Sequence, residues 1–252
     1  QVPSDGIALL GPHGSSTDEL ELAKKRGLEH IDTVCPLVQK VHDEIDRQLE
    51  EGFTIIYFGK KVHAETDGVM SHDREGGRII LVESIEDLEF VEVPDPEKVA
   101  FNSQTTHSVD KMEAVKERAF QKWPKMKVPN YSDVCYATQN RQDAIRAIIE
   151  GGAGAVVILG SEHSSNAQEL KKVAEESGAR VFFIDEASQL KREDFLGLEC
   201  VGLSAAASVP EKDVKDAQRF FQENFGAEIK TVAVADESRI RFARPKIQTS
   251  KP

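Results

Sequence analysis

The chain has 252 residues, of which 39% are hydrophobic, 30% charged and 6% aromatic, as in an ordinary globular protein. Its formal net charge of −12 argues against nucleic-acid or anionic-membrane partners, because both need a positively charged surface. No apolar run approaches the roughly 20 residues of a membrane-spanning helix, so we expect no membrane partner.

Short apolar runs mostly lead through a loop into a helix-like segment, which predicts an α/β fold with mainly parallel sheets. The predicted strands, in chain order, are Ile7–Leu10, Thr54–Phe58, Arg78–Val82, Lys98–Asn102, Ala155–Leu159, Arg180–Ile184 and Cys200–Leu203. Two amphipathic helices are predicted to begin at cysteines, one at Cys35 and one at Cys135. Residues 123–133 read as a linker, and Glu228–Val234 and Ile240–Phe242 could be further strands.

An internal repeat divides the chain. Cys35 precedes His63 by 28 positions, and Cys135 precedes His163 by the same interval. This repeat predicts three pseudo-symmetric α/β units: residues 1–33 as the C-terminal part of the first, 34–132 as the second and 133–227 as the third, followed by an extension over 228–252. By the same symmetry, most of the first unit, with its own cysteine and histidine, would lie upstream of Gln1.

The loops that follow the predicted strands have a common design. Each contains histidine, serine, threonine or asparagine and leads into a helix. In open α/β sheets, ligands bind at the carboxyl ends of the strands, and helix N-termini there suit phosphate. In any one loop these residues would more simply be helix N-caps. The matched set, with histidine in three loops, favours an anion site. The loops are residues 11–18, 59–68, 103–110, 160–166 and 204–211.

The three cysteines form no closely spaced pair, which favours reduced thiols or metal ligands in a cytoplasmic protein over a disulfide framework. A helix N-terminus favours the thiolate form of Cys35 and Cys135, and therefore metal ligation. Without a C-x-x-C motif zinc has little support, whereas one cysteine from each unit could share an iron–sulfur cluster. A buried structural thiol is the alternative for either residue. Cys200 is expected in the hydrophobic core, within an apolar strand.

Among the remaining titratable residues, Glu65 stands out because it follows His63 by two positions and could donate a proton. The alternative is an exposed loop carboxylate. Four other histidines are interpreted as surface or capping groups: His30, His42, His72 and His107.

Four motifs together resemble the IspH/LytB family of 4-hydroxy-3-methylbut-2-enyl diphosphate reductases. They are Thr33-Val34-Cys35-Pro36-Leu37-Val38-Gln39-Lys40-Val41-His42, Ser103-Gln104-Thr105-Thr106-His107-Ser108-Val109-Asp110, Cys135-Tyr136-Ala137-Thr138-Gln139-Asn140-Arg141-Gln142 and Ser164-Ser165-Asn166. The resemblance implies three α/β units in a trefoil around a 4Fe–4S cluster. It also implies reductive dehydroxylation of an allylic diphosphate in the non-mevalonate isoprenoid pathway, to isopentenyl and dimethylallyl diphosphate. Ferredoxin or flavodoxin is implied as the electron donor.

The resemblance also implies residue roles. Cys35 and Cys135 match cluster ligands, Glu65 matches the catalytic proton-relay carboxylate, and Thr105 matches its catalytic partner near the substrate hydroxyl. The residues that match the diphosphate pocket are His13, His63, Ser164, Ser165, Asn166 and Ser208.

The chain departs from the family pattern at three places. The family's third cysteine, in an N-terminal Gly-Phe-Cys segment, has no counterpart here. Lys60 and Lys61 stand in the loop that keeps His63 and Glu65, and Ala206 replaces a loop glycine. A non-catalytic relative that binds a diphosphate-like anion without a stable cluster is therefore the alternative function. A flavodoxin-like protein is a weaker alternative, because no G-x-G-x-x-G is present.

Overall fold

The structure is a computed structural model that describes residues 3, 6–73, 76–129, 134–237, 240–241, 245 and 247–248. The chain divides into two compact units. Below, the first unit is Gln1–Val134 with Ile240–Pro252 and the second unit is Cys135–Arg239, a numbering independent of the three units predicted from the repeat. The predicted α/β class is confirmed, since the described residues form three small sheets flanked by helices. The finer boundaries of the three predicted units, and their trefoil arrangement, stay predictions.

Each sheet has three strands. The strands are β1 (Ile7–Leu10), β2 (Glu29–Asp32), β3 (Thr54–Phe58), β4 (Ile79–Val82), β5 (Val99–Ser103), β6 (Ala155–Leu159), β7 (Arg180–Ile184), β8 (Val201–Ala205) and β9 (Ile247–Gln248). The sheet orders are β1-β2-β9, β4-β3-β5 and β7-β6-β8. All paired strands run parallel except β2 and β9, which run antiparallel.

Seven α-helices connect these strands within the described residues. They are α1 (Thr17–Lys25), α2 (Pro36–Glu50), α3 (Ala64–Met70), α4 (Val109–Lys122), α5 (Tyr136–Glu150), α6 (Ser165–Glu176) and α7 (Glu211–Phe225). Short 3₁₀ helices occur at Glu86–Phe90, Ala187–Gln189 and Arg192–Phe195. None of the helices in the described part of the chain is long and apolar enough to cross a membrane.

The central strands explain why the sheets are covered on both faces. Every residue of β3 and of β6 is buried, and both strands are nearly continuous apolar runs, as parallel strands between helices require. In the first unit, α2 packs on one face of β3 through residues such as Ile45 and Ile55, while α4 packs on the other through residues such as Val115 and Ile56. In the second unit, apolar clusters lie likewise on both faces of β6.

Three predictions about local structure are wrong. The linker predicted for residues 123–133 begins in the core: Trp123 and Met126 are buried, and Lys127 forms a bridge with Ala100. Residues 130–133 of that segment lie outside the described residues. Glu228–Val234 form no strand, and residue 242 of the predicted strand Ile240–Phe242 lies outside the described residues. Cys200 precedes β8 and is exposed, so the expected core position is also wrong. Trp123 and Met126 are buried against residues far away in the chain, which local sequence does not reveal.

Candidate functional site

In the first unit, the candidate residues lie just after parallel strands that end at one edge of a sheet. Phe58, at the end of β3, pairs with Ser103, at the end of β5. The loops that follow are joined side by side, because Gln104 accepts a hydrogen bond from the Lys60 backbone N–H through its Oε1 at 2.9 Å. The carboxyl ends of these strands therefore bring His63 and Thr105 to the same side of the sheet.

The centre of this edge is the side chain of Glu65. Helix α3 begins after His63, whose ring Nδ1 accepts the Glu65 backbone N–H at 3.1 Å. Thr105 donates twice to the carboxyl: its backbone N–H lies 2.8 Å from Oε1 and its Oγ1 lies 2.9 Å from Oε2. The Glu65 side chain is 0% exposed, so the alternative of an exposed loop carboxylate is wrong.

Burial makes Glu65 a group that can exchange a proton near neutral pH. Loss of water raises the pKa of Glu65 to about 7, and the two hydrogen bonds from Thr105 oppose that rise because they favour the carboxylate. A carboxyl that titrates near the working pH is suited to general acid catalysis.

Two histidines from loops that follow different sheets lie beside each other. The rings of His13, in the loop after β1, and His63 have centroids 5.2 Å apart in an edge-to-face arrangement. Burial, followed by the charges of His13 and Lys60, lowers the pKa of His63 to about 4, and desolvation also lowers the pKa of His13. Since Nδ1 of His63 accepts a hydrogen bond, the proton of its neutral ring is on Nε2, which can donate to an anion.

Cys35 is joined to the loop that carries His13. It is the N-cap of α2, its backbone N–H donates to the Pro12 carbonyl at 2.9 Å, and its thiol makes no capping hydrogen bond. Cys135 occupies the same position at the start of α5 in the second unit, again without a capping hydrogen bond from its thiol. Both thiols are partly buried and unpaired. Each therefore fits a thiolate ligand by position and chemistry, although no cluster of three or more metal-ligating side chains occurs within the described residues.

The second unit repeats the loop design at the ends of β6 and β8, where Leu159 pairs with Ala205. Ser164 caps α6, and its Oγ accepts the Ala167 backbone N–H at 3.3 Å. Asn166, in the first turn of α6, is 9% exposed, and its Oδ1 has no hydrogen-bond partner among the described residues. Such a buried acceptor is the kind of group that a ligand satisfies.

Other residues of these second-unit loops are placed differently. Ser165 is the first residue of α6, and Ser208 is exposed ahead of α7, whose N-cap is Pro210, so Ser208 does not cap that helix. Ala206 is buried, and a Cβ at Gly160 would lie 3.2 Å from the Ala206 Cβ and 2.6 Å from that of Ala167. The close approach of these two loops thus depends on glycine at position 160.

The interpretation of four histidines as surface or capping groups is wrong for three of them. His30, His42 and His107 are buried, and the His107 ring stacks on Phe58 with centroids 4.1 Å apart. His72 makes hydrogen bonds on both ring nitrogens. The position of His42 was detectable in the sequence, since it lies on the apolar stripe of α2 that also includes Val38, Val41 and Ile45. Sequence reasoning missed Gln104, which joins the two loops, although it lies within the motif of residues 103–110.

Comparisons with known proteins agree on one family. The LytB protein family model matches residues 2–222. The 4-hydroxy-3-methylbut-2-enyl diphosphate reductase of Methylococcus capsulatus is 37% identical over 98% of this chain and 78% of its own length, and that of Acinetobacter baylyi is 39% identical with the same coverage.

Two solved structures are similar as well. One is the E-1-hydroxy-2-methyl-but-2-enyl-4-diphosphate reductase from Plasmodium falciparum, with a TM-score of 0.81 and 28% identity over 86% of this chain and 67% of that one. The other is an (E)-4-hydroxy-3-methyl-but-2-enyl diphosphate reductase described as the terminal enzyme of the non-mevalonate pathway. Its TM-score is 0.57, with 29% identity over 86% of this chain and 76% of that one.

Proposed function

Because the chain belongs to the LytB family, whose members compared above are 4-hydroxy-3-methylbut-2-enyl diphosphate reductases, we propose that it acts in the reductive dehydroxylation of that allylic diphosphate. In this reaction the C–O bond breaks, the hydroxyl leaves as water after taking one proton, and the allylic carbon skeleton takes up two electrons and a second proton. The products are isopentenyl and dimethylallyl diphosphate.

The observation that carries this proposal is the wholly buried Glu65 carboxyl held by Thr105. An alcohol is a poor leaving group unless its oxygen is protonated, so the reaction needs an acid that still holds its proton near neutral pH. Burial raises the pKa of Glu65 to about 7 and so meets that need. We assign Glu65 as the proton donor and Thr105 as the residue that orients its carboxyl and contacts the leaving oxygen.

Because the chain has a net charge of −12, its diphosphate site would rely on hydrogen-bond donors more than on fixed positive charge. His63, whose Nε2–H can donate, and His13 beside it supply donors in the first unit. In the second unit, the start of α6 supplies backbone N–H groups and polar side chains. We therefore assign as diphosphate ligands His13, His63, Ser164, Ser165, Asn166 and Ser208.

Cys35 and Cys135 are the residues we assign to an iron–sulfur cluster, because each presents an unpaired thiol at the N-terminus of a long helix. A 4Fe–4S cluster held by these thiols would supply the electrons and the Lewis acidity for removal of the hydroxyl. Ferredoxin or flavodoxin is the class of donor we propose for those electrons.

Anaerobic reconstitution with iron and sulfide, followed by an assay with the allylic diphosphate and a chemical reductant, tests the proposal. We expect the reconstituted protein to show the absorbance and electron paramagnetic resonance of a cluster and to release both products. A protein that binds inorganic pyrophosphate but neither holds iron nor turns over would instead be the non-catalytic relative.

A further inference from the structure

His42 lies at the contact between three of the segments that carry candidate residues in the first unit: the His13 loop, α2 and α3. It is on α2, two turns after Cys35, and it is 6% exposed. A Cβ at Gly14, next to His13, would lie 3.0 Å from His42 Nε2, and a Cβ at Gly68, in α3, would lie 3.0 Å from His42 Cε1. The imidazole therefore packs directly against the backbone of the His13 loop and of the helix that begins beside Glu65.

The orientation of this ring is set by two further residues. His42 Nδ1 lies 2.7 Å from His72 Nε2, and His72 Nδ1 lies 2.5 Å from the Asp46 carboxylate. A carboxylate only accepts, so the proton of His72 is on Nδ1 and its Nε2 must accept. His42 therefore carries its proton on Nδ1. Its Nε2, facing Gly14, is an acceptor without a hydrogen-bond partner among the described residues.

A second pair of hydrogen bonds ties the same segments together. The Thr17 backbone N–H donates to Ser71 Oγ at 3.0 Å, and Thr17 Oγ1 donates to the Ser71 carbonyl at 3.1 Å. Thr17 is the first residue of α1, after the His13 loop, and Ser71 ends α3 next to His72. The spacing between the His13 loop and α3 thus depends on Thr17 and Ser71 as well as on His42.

The row of side chains from His42 through His72 to Asp46 is open to solvent at its Asp46 end. Asp46 and His72 line an open cavity of about 480 Å³, whereas His42 is buried. The charged and titratable groups that act on His42 are His72, Asp46, Asp43 and Asp32, and burial followed by His72 lowers the pKa of His42 to about 4.

We propose that His42, held by His72 and Asp46, is a positioning residue that sets the place of the His13 loop and of α3, and hence of Glu65, relative to α2. The effect on a diphosphate ligand rests on the proposed function, whereas the tautomers and the geometry do not. The residue acts through the backbone of Gly14 and Gly68 and touches no substrate.

The test compares Asp46→Asn with Asp43→Asn in the reconstituted protein. Both remove one carboxylate from α2, but Asp43 bonds Gln39 rather than His72. The first readout is the ¹⁵N spectrum of the imidazoles, which reports the tautomer of each ring. We expect Nδ1–H on both His42 and His72 in the wild type and in Asp43→Asn. In Asp46→Asn we expect a second His72 tautomer, because the amide can donate to Nδ1 whereas the carboxylate can only accept.

The second readout is binding of inorganic pyrophosphate, measured by calorimetry at equal iron content. We expect a loss of affinity of roughly 10-fold in Asp46→Asn, the lower end of what orienting partners contribute at metal-binding histidines, and none in Asp43→Asn. His42→Asn, which keeps a donor near Nδ1, should retain more affinity than His42→Leu. Thermal melts of all variants separate this effect from unfolding.

A wild type with His42 protonated on Nε2 would overturn the proposal, as would equal losses of affinity in the two aspartate variants. A changed tautomer with unchanged pyrophosphate binding would also overturn the positioning role. If the wild type shows the expected tautomers but binds no pyrophosphate, the proposed function fails, whereas the hydrogen bonds from His42 through His72 to Asp46 are confirmed.

Discussion

Both oxygens of the Glu65 carboxyl accept hydrogen bonds from Thr105, 40 positions later in the chain, one from its backbone N–H and one from its hydroxyl. The carboxyl is wholly buried, and the two hydrogen bonds from Thr105 oppose the cost of its ionisation. This arrangement holds an acid in one orientation at the edge of the sheet where His63 also lies.

Glu65→Gln should remove the proton donor while keeping the shape of the side chain. We expect turnover of the allylic diphosphate to fall by roughly 100-fold to 10,000-fold, the usual contribution of a general acid, with little change in pyrophosphate affinity. Steady-state kinetics of the reconstituted protein measure this. Glu92→Gln, at an exposed position, is the matched control and should be unaffected. Full activity in Glu65→Gln would remove Glu65 from the reaction.

Thr105→Val should separate the two hydrogen bonds to Glu65, because it removes the hydroxyl and keeps the backbone N–H. The lost bond favoured the carboxylate, so the pKa of Glu65 should rise further and turnover should fall by about 10-fold. Thr105→Ser, which keeps the hydroxyl, should stay near the wild type. A pH–rate profile of the three proteins provides the measurement, and identical profiles would contradict the assigned role.

Stability should depend on pH with opposite signs at two groups. The pKa of Glu65 is raised from 4.5 to about 7, so its contribution to stability is fully present below pH 4.5 and is lost as the pH rises through 7. The pKa of His42 is lowered from 6.5 to about 4, so its contribution is present above pH 6.5 and is lost as the pH falls towards 4. Melting temperatures across this range test both signs. The alkaline loss should disappear in Glu65→Gln and persist in Glu92→Gln.

Gly59→Ala should destabilise the start of the loop that leads to His63. A Cβ there would lie 2.7 Å from Tyr57 Cε1 and 2.9 Å from Thr66 Oγ1, closer than packed atoms tolerate. Overpacking of this kind typically costs about 1–3 kcal/mol in the free energy of unfolding. Gly154→Ala is the control, since nothing lies within 4 Å of a Cβ at that position. Denaturant titration should show a lower midpoint for the first variant alone.

Cysteine substitutions should distinguish cluster ligands from cysteines that bind no iron. Cys35→Ser and Cys135→Ser should each lower the iron and sulfide retained after anaerobic reconstitution, because a neutral hydroxyl is a poor ligand for iron–sulfur clusters. Cys200→Ser should retain the wild-type content, since Cys200 is exposed ahead of β8. Chemical analysis of iron provides the measurement. Equal retention in all three variants would exclude Cys35 and Cys135 as ligands.

Several elements were predictable because they depend on local pattern. The apolar runs of β3 and β6, and the helices that begin after Cys35 and Cys135, occur where the sequence predicted them. Helix α3 was not predicted, because its seven residues are too few for the apolar periodicity that identifies a helix.

The sequence by itself determined the α/β class and the residue types at the strand ends, because hydrophobic period and loop chemistry are written in neighbouring residues. Only the tertiary structure decided that Glu65 is buried and that His42 packs between two glycines. Both outcomes depend on groups brought from distant positions, Thr105 for Glu65 and His72 for His42. A pKa follows from that assembled environment and not from the residue type alone.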